Sequence, residues 1–305
     1  MVKNLIQSNN KIIGIIMAGG LGTRLFPVTN YLNKHLMPVF DKPMIFYPLS
    51  LLILNKIKEV IIVTNKEDIK DFKKILKNGE NYGIKIHYVP QTKSNGIPEG
   101  LKLSPSLIKN KDVFMILGDN ILFGSGMSTF FEHIWKSKNS VIYPYIVKDP
   151  DRYGVVEFNQ KGIKNLIEKP NKFISEWIIT GLYFIKNNDI KYVTKLKKSK
   201  RKEYEIIDLL NLIKKKSKLD FKKISRGFSW NDVGTFNSLL ETSNLIFGIQ
   251  NKQGLEISSL DEIAYRKKLI SKKKYLENIK EYKKSPYVDY LLSALDKDKK
   301  ENNYE

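Results

Sequence analysis

The first half of this 305-residue chain alternates short β-rich runs with segments of helical apolar spacing. Helices of this length between strands predict a parallel, doubly wound sheet with helices on both faces. The runs expected as strands are 12–17, 59–64, 84–89 and 112–117, and those expected as helices are 43–54, 68–77 and 98–107. We therefore predict an α/β fold with a mostly parallel, Rossmann-like sheet.

The second half is richer in strand-like runs, which lie at 140–147, 154–158 and 178–185. Helical patterns return at 204–215 and 236–247. A last helix at 285–295 carries apolar residues on one side: Tyr287, Val288, Leu291, Leu292 and Leu295. We expect this helix to pack on the body of the protein.

Composition excludes several classes of protein. The chain has no cysteine, so disulfides, thiolate nucleophiles and thiolate metal sites are excluded. No window holds 18 uninterrupted apolar residues, which argues against a membrane span and a membrane partner. The first ten residues lead into a strand-like run without a small-residue cleavage site. We therefore expect a cytoplasmic protein.

The net charge of +21 first suggests a polyanionic partner, because 53 basic residues stand against 32 acidic ones. Only five of the basic residues are arginine, however, whereas specific phosphate or base recognition favours arginine. The lysines are spread along the chain, with denser runs at 195–202, 214–218 and 267–274. We interpret most of this charge as a solvated surface and expect no nucleic-acid partner.

A glycine-rich turn directly follows the first expected strand. Gly19, Gly20 and Gly22 lack a Cβ, so backbone N–H groups there can converge on an anion, and Arg24 can reach an outer phosphate. The pattern matches neither the kinase-type P-loop nor the dinucleotide fingerprint. Ligands of doubly wound sheets bind beyond the carboxyl ends of the strands, where Asp119 also lies. On the glycines alone, a tight turn with an incidental arginine is an equal alternative.

The residues that follow this turn carry a family resemblance. Residues 19–29 read Gly-Gly-x-Gly-Thr-Arg-Leu-x-Pro-x-Thr, and Lys34 follows ten positions after Arg24. Further motifs come in order: Gly-Asp-Asn at 118–120, Glu-Lys-Pro at 168–170 and Trp-Asn-Asp-Val-Gly-Thr at 230–235. The series resembles the sugar-phosphate nucleotidyltransferases, and in particular the short bacterial glucose-1-phosphate thymidylyltransferases, over about residues 12–295.

The resemblance implies a Mg²⁺-dependent reaction. In this family an oxygen of glucose 1-phosphate attacks the α-phosphorus of dTTP, pyrophosphate leaves, and dTDP-glucose forms for deoxysugar biosynthesis of the dTDP-rhamnose type. Such a transfer needs alignment and charge neutralisation more than covalent help. The residues that match the catalytic positions are Arg24, Lys34, Asp119, Lys169 and Asp232. Of these, Asp119 and Asp232 match the pair that binds Mg²⁺.

The binding residues also come from the resemblance, position by position. Those that match the nucleotide site are Gly19, Gly20, Gly22, Thr23, Arg24, Gln91, Gly96 and Asp119, with Gln91 and Gly96 at the nucleobase. Those that match the sugar-phosphate site are Tyr153, Gly154, Glu168, Lys169, Thr180 and Arg201. The family also implies a homotetramer built as a dimer of dimers, in which Arg226 and Arg266 are candidates for feedback binding of a nucleotide sugar.

The same resemblance suggests how the chain is divided. We expect a catalytic domain at 12–250, with a nucleotide-binding part at about 12–125 and a sugar-binding part at about 126–250. An N-terminal extension at 1–11, a helical addition at 251–295 and a frayed tail at 296–305 would flank it.

Alternatives for the function stay open at this point. The enzyme could use UTP, or another hexose 1-phosphate. A catalytically silent regulatory subunit would keep the fold, but drift should have eroded its cations and acids, which are present here. The chain departs from the family at Ile207, where a hydroxyl is lost, and at Glu99, which would bring a negative charge near the nucleotide.

Individual residues also have simpler interpretations. Taken alone, Asp119 could cap a loop and Asp232 could cap the helix that follows. Trp230 is expected to pack rather than to contact substrate. The histidines, which are His35, His87 and His133, show no metal-ligand spacing and are expected to be bystanders.

Overall fold

A computed structural model of the chain describes residues 11–93 and 95–298, with side chains described as far as residue 295. The expected N-terminal extension lies outside the described residues except for Lys11. The expected tail lies outside them from residue 299 onward, and residues 296–298 continue the last helix. Within the described part of the chain, no helix is long and apolar enough to cross a membrane.

The strands follow one another along the chain and account for all the strand-like runs expected from the sequence. They are β1 (Ile12–Met17), β2 (Pro38–Val39), β3 (Lys42–Pro43), β4 (Glu59–Asn65), β5 (Lys85–Gln91), β6 (Asp112–Leu117), β7 (Asn120–Gly124), β8 (Ser140–Ile146), β9 (Gly154–Asn159), β10 (Gly162–Glu168), β11 (Trp177–Ile185), β12 (Leu219–Phe221) and β13 (Phe228–Asp232).

The helices alternate with these strands in the first half and dominate the end of the chain. They are α1 (Phe46–Leu54), α2 (Ile69–Leu76), α3 (Glu99–Leu103), α4 (Pro105–Ile108), α5 (Met127–Phe130), α6 (Asn187–Ile190), α7 (Ile206–Lys216), α8 (Phe236–Gln253), α9 (Leu260–Arg266), α10 (Lys272–Glu281) and α11 (Pro286–Asp298). The single helix expected at 98–107 is wrong, because Pro105 begins a new helix and disfavours helical backbone at Ser104.

The central sheet confirms the doubly wound α/β prediction. Its strand order is β10-β9-β11-β6-β1-β4-β5, and β8 joins beside β11 with β12 on its other side. β5, β4, β1 and β6 are parallel. β11 runs antiparallel to β6, β8 and β9, so the complete sheet is mixed. The strand-rich second half therefore extends the first sheet.

β1 shows how the two faces of the sheet are covered. Ile12 and Ile16 belong to one hydrophobic cluster, whereas Ile13 and Ile15 belong to another, since successive side chains of a strand point to opposite faces. Helices α1, α9, α10 and α11 contribute to the first cluster. Helices α3 and α7 contribute to the second. The sheet is thus buried on both sides, as the continuous apolar strands predict.

The C-terminal helices share the core of the main sheet. Leu260 of α9, Tyr275 of α10 and Leu291 of α11 are fully buried in the same cluster as β1 and α1. The expected packing of the last helix is confirmed for Leu291 and Leu295, but Leu292 is 44% exposed and does not face the core. The boundary at 250/251 falls inside α8, which continues to Gln253.

This shared core predicts a difference between two neighbouring residues of α11. We expect Leu291→Ala to lower the free energy of unfolding by about 2–5 kcal/mol, because it leaves a cavity in the core. Leu292→Ala makes the same change in helix propensity at a half-exposed side chain and should cost no more than about 1 kcal/mol. Urea unfolding followed by circular dichroism measures both. Equal, small losses would contradict the inclusion of α11 in the main core.

Candidate active site

Two antiparallel strands bring distant acidic residues together. β7 begins at Asn120 and β13 ends at Asp232, and these two residues pair in register. The backbone N–H of Val233 donates to the carbonyl of Asp119 at 2.9 Å. Asp119 and Asp232 lie 113 positions apart in the sequence, yet the strand pairing places them side by side beyond the carboxyl end of β6.

The buried side chain of Asn120 joins the segments around this acidic pair. Its Nδ2 donates to Asp119 Oδ1 at 3.1 Å. Its Oδ1 accepts from the indole Nε1 of Trp230 at 2.8 Å and from the backbone N–H of Gly181 at 3.0 Å. Gly181 lies in the stretch where β11 loses regular pairing with β8, so Asn120 supplies a partner that the strand pair does not. Asn120 therefore does more than cap a loop.

Asp119 forms an ion pair with Lys34, and both side chains are mostly buried, at 14% and 11% exposure. Burial alone would raise the pKa of Asp119, but the Lys34 ammonium holds it at about 2. His35, next to this pair, has its pKa lowered to about 3 by burial and by Lys34, so the imidazole is uncharged at neutral pH. Asp119 is thus ionised beside a fixed ammonium group.

The pKa of Asp232 moves in the opposite direction. Burial and the negative charge of Asp119 raise it to about 6, and the charges of Lys34, Arg24 and Arg152 offset only part of this rise. The cations around the two carboxylates therefore do not fully offset the effects of burial and of the repulsion between the two charges. A divalent cation would stabilise such a pair.

The residues present fit the Mg²⁺ that the family resemblance implies. Mg²⁺ prefers oxygen ligands and is usually held by one or two carboxylates together with substrate phosphates and water. Asp119 and Asp232 supply such carboxylates. Among the described residues there is no group of three or more acidic or histidine side chains that could hold a metal on its own. The phosphates of a substrate would therefore have to complete the ligand shell.

The glycine-rich turn leaves the sheet at the same edge as Asp119. Met17 pairs with Leu117 at the ends of β1 and β6. A Cβ on Gly19 would overlap the side-chain oxygen of Gln91, and one on Gly20 would lie 3.6 Å from Lys34 Cε. The turn therefore lies between the expected base-binding residue Gln91 and the Lys34–Asp119 pair.

The end of the same turn brings Arg24 to the acidic pair. Gly22 precedes the short 3₁₀ turn Thr23–Leu25, and Thr23 and Arg24 are exposed. The guanidinium of Arg24 lies against Gly234, where a Cβ would overlap Nη2. The motif at 19–29 and the motif at 230–235 are thus in direct contact, and Arg24 is placed where it can hold an anion bound beside Asp232.

The expected nucleobase residues flank the turn on its other side. Gln91 ends β5 and is buried, and its Nε2 donates to the carbonyl of Lys93 at 2.7 Å. Gly96 has a φ of 99°, and a Cβ there would overlap the carbonyl oxygen of Tyr204, so the position requires glycine. The carboxylate of Glu99 accepts from the backbone N–H and the Nδ2 of Asn95, at 3.1 and 2.6 Å. The Glu99 carboxylate therefore stabilises the loop that contains Asn95 and Gly96.

Two adjoining cavities meet at Asp119. The smaller has a volume of about 190 Å³ and is bordered by Gly19, Gly20, Lys34 and Gln91. The larger has a volume of about 330 Å³ and contains most of the residues expected at the sugar phosphate. Both are lined by Gly96, Ile97, Leu117, Asp119 and Glu203. The nucleotide-side and sugar-side predictions therefore converge on one cleft.

Charged side chains of both signs line the larger cavity at its far side. Arg201 donates to Glu168 at 2.9 Å and to Glu205 at 2.6 Å. Burial raises the pKa of Glu168, and the Arg201 guanidinium opposes this rise. Lys169 is exposed, has a φ of 42°, and donates its backbone N–H to the carbonyl of Tyr153 at 3.1 Å. Lys169 and Arg201 thus border one pocket together with Tyr153.

Thr180 does not match its expected role. Its side chain is fully buried, and its hydroxyl donates to the carbonyl of Tyr143 at 2.7 Å. The residues of β11 that line the larger cavity are Ile179, Gly181 and Tyr183, because alternate side chains of a strand point to the same face. The geometry does not support direct contact between the Thr180 side chain and the sugar.

Trp230 packs, as expected, with its ring edge-on to Tyr153 at a centroid distance of 5.4 Å. It also lines the larger cavity and donates to Asn120.

Sequence reasoning missed Arg152 and Glu205, which line the same cavity. Arg152 directly precedes Tyr153 and Glu205 lies four positions after Arg201, so their proximity to expected sugar-phosphate residues was the available signal.

The proposed regulatory arginines lie on separate elements. Arg226 is exposed in the turn before β13, and Arg266 ends α9, where its Nε donates to Glu262 at 2.7 Å. Their joint role stays a prediction. His87 bonds to Glu59 at 3.0 Å and His133 to the Phe130 carbonyl at 3.0 Å, which agrees with structural roles for both.

Comparisons with known proteins agree with this site. The nucleotidyl transferase family model matches residues 13–247. A glucose-1-phosphate thymidylyltransferase of Neisseria meningitidis is 40% identical to the chain, over 93% of the chain and 99% of the relative. One of Mycolicibacterium smegmatis is 38% identical, with the same shares covered.

A solved structure gives the same result in three dimensions. A Bacillus anthracis protein, named as a candidate glucose-1-phosphate thymidylyltransferase, superposes with a TM-score of 0.71 at 34% identity. The match covers 77% of this chain and 94% of that one. The chain therefore belongs to the glucose-1-phosphate thymidylyltransferases of the nucleotidyl transferase family.

Proposed function

We propose that the protein transfers a thymidylyl group from dTTP to glucose 1-phosphate, giving dTDP-glucose and pyrophosphate. The observation that carries this proposal is the single cleft in which Asp119 and Asp232 lie between a glycine-rich turn and the cations of the sugar-phosphate side. The relatives named above carry the same activity in their names. The product would enter deoxysugar synthesis of the dTDP-rhamnose type.

The first task of such a site is to bring two anions together. A triphosphate in the smaller cavity and a sugar phosphate in the larger one repel each other unless cations separate them. Lys34 lies at the smaller cavity and Lys169 and Arg201 at the larger one, while Arg24 lines the larger cavity next to the residues that would hold Mg²⁺. Fixed cations in a partly buried cleft lower this repulsion without the cost of reorganising at the moment of reaction.

The transfer itself is a displacement at phosphorus. A phosphate oxygen of the sugar phosphate forms a bond to the α-phosphorus, and the bond from that phosphorus to the bridging oxygen breaks with its electron pair leaving on pyrophosphate. Lys34, beside Asp119, is placed to stabilise charge at the α-phosphate. Arg24, held against Gly234, is placed to hold the departing pyrophosphate.

Asp119 and Asp232 would hold Mg²⁺. When bound, the ion neutralises phosphate charge and activates the α-phosphorus toward attack. The raised pKa of Asp232 supports this assignment, because burial and the charge of Asp119 disfavour its carboxylate form, which a bound cation would favour.

Other features stay predictions. The homotetramer, the cytoplasmic location and the feedback site of Arg226 and Arg266 follow from the family resemblance.

The nucleotide and the sugar can be tested together. We expect pyrophosphate release with glucose 1-phosphate and Mg²⁺ to be fastest with dTTP when dTTP, UTP, CTP, ATP and GTP are compared in parallel. Faster release with UTP would keep the chemistry and change the named product. No release with any of them, nor with galactose, mannose or N-acetylglucosamine 1-phosphate, would instead favour a silent regulatory subunit.

The metal assignment predicts a large effect at Asp119. Asp119→Asn keeps the shape of the side chain but removes the charge next to Asp232, so we expect the rate to fall by at least about 100-fold. Binding of Mn²⁺ in the presence of nucleotide, measured by calorimetry, should weaken in parallel. Asp71→Asn on the exposed face of α2 is the matched control and should leave both unchanged. An intact rate in Asp119→Asn would refute the assignment.

The sugar-phosphate side is tested at Lys169. Lys169→Ala removes a hydrogen bond from the ammonium group to the charged sugar phosphate. It should therefore raise the KM for glucose 1-phosphate about 10- to 100-fold, with a much smaller effect on the KM for dTTP. Lys161→Ala, in the exposed turn of the same β9–β10 hairpin, is the control. Steady-state kinetics with each substrate varied in turn would show the split. A larger rise in the KM for dTTP would contradict the role of Lys169.

A further inference from the structure

Lys198 lies in the lysine-rich run at 195–202, to which the proposed reaction assigns only Arg201. Its Nζ donates to Asn95 Oδ1 at 2.6 Å and lies 5.5 Å from the centre of the Tyr204 ring. Lys102 of α3 approaches the same ring to 3.3 Å. The Tyr204 ring therefore has an ammonium group near it from each of two segments, a geometry that cation–π attraction stabilises.

These contacts join a loop on the nucleotide side to a loop on the sugar-phosphate side. We call residues 95–98 the base loop and residues 198–205 the phosphate loop. The backbone N–H of Tyr204 donates to the carbonyl of Asn95 at 2.7 Å. Gly96 lies so close to the Tyr204 carbonyl that no Cβ would fit between them. The two loops are thus in backbone contact, and Lys198 adds a side-chain link at the same place.

Each loop also reaches a substrate position. Gly96 of the base loop lines both cavities. Within the phosphate loop, Ser199 Oγ donates to Glu205 at 2.5 Å, and Glu205 in turn binds Arg201. Movement of one loop would therefore move residues of the other cavity.

We propose that Lys198 is a positioning residue that couples the two substrate sites, so that each substrate binds more tightly when the other is present. This inference rests on the proposed function for the identity of the substrates. The coupling is reciprocal by thermodynamic linkage: whatever affinity the nucleotide adds for the sugar phosphate, the sugar phosphate adds for the nucleotide. Lys198 does not touch a reacting group. It acts through Asn95 and Tyr204.

The coupling is measured by calorimetry on the full-length protein. The affinity for glucose 1-phosphate is determined alone and with a dTTP analogue whose α,β-bridging oxygen is replaced by a methylene group, so that no transfer occurs. We expect the analogue to raise that affinity in the wild type and to raise it much less in Lys198→Ala. Lys198→Met, which keeps the aliphatic stem, should behave like Lys198→Ala. Lys198→Arg, which keeps the charge and the donor, should retain the coupling.

Kinetics give a second readout that a purely structural role would not produce. Lys198→Ala should raise both KM values by about two- to fivefold each, the scale of one exposed charge-assisted hydrogen bond, with kcat nearly unchanged. The exposed neighbour Lys197→Ala is the control and should change neither.

Three results would overturn the proposal: no coupling in the wild type, full coupling in Lys198→Ala, or a rise in only one KM. Failure of the proposed function is recognised separately, because it appears as inactivity of the wild type in the nucleotide comparison.

Discussion

The buried amide of Asn120 is the interaction on which the cleft depends. One side chain bonds to the carboxylate of Asp119, to the indole of Trp230 on β13, and to the backbone of Gly181 in the irregular part of β11. A buried amide is costly unless its donors and acceptors are satisfied, and here each bond also fixes a different segment. The acidic pair, the strand that carries Asp232 and the wall of the sugar-side cavity are therefore positioned together.

Local charge in the cleft differs from the charge of the whole protein. The chain carries a net charge of +21, yet the pKa of Asp232 is raised to about 6, because burial and the charge of Asp119 outweigh the effect of the neighbouring cations. Most lysines lie in water, where their charge is screened over about 10 Å at moderate salt. In the proposed reaction, the cations that act on the substrates are the few that contact the cleft. The interpretation of the remaining charge as a solvated surface stays a prediction.

The parts of the fold that the sequence predicts are those whose signal is local. The apolar runs of β1, β4, β5 and β6 are continuous and flanked by helical spacing, and all four form the parallel core. β7 and β13 were not predicted as strands, because segments such as Phe-Ser-Trp-Asn-Asp carry no clear alternation and gain their structure by pairing with each other. Pro105 indicates from the sequence alone that the helix expected at 98–107 is interrupted.

The candidate site also has residues that the sequence predicts and residues whose positions depend on the fold. Motif resemblance placed Lys34, Asp119 and Asp232 in one cleft, although no spacing in the sequence relates them. It could not reveal that Thr180 faces away, since that depends on the phase of β11, or that Arg152 lines the cavity. The charge of Glu99 also could not be interpreted without its partner, because the hydrogen bonds to Asn95 turn an expected disturbance of the nucleotide pocket into a support for it.

The pairing of β7 with β13 also determines when the site can form as the chain is synthesised. A nascent chain that has emerged only to residue 200 already contains the glycine-rich turn, Lys34 and Asp119, but it lacks Asp232 and the strand that holds it. A ligand that bridges Asp119 and Asp232 therefore binds only the finished domain, and by mass action it stabilises both halves of the chain together.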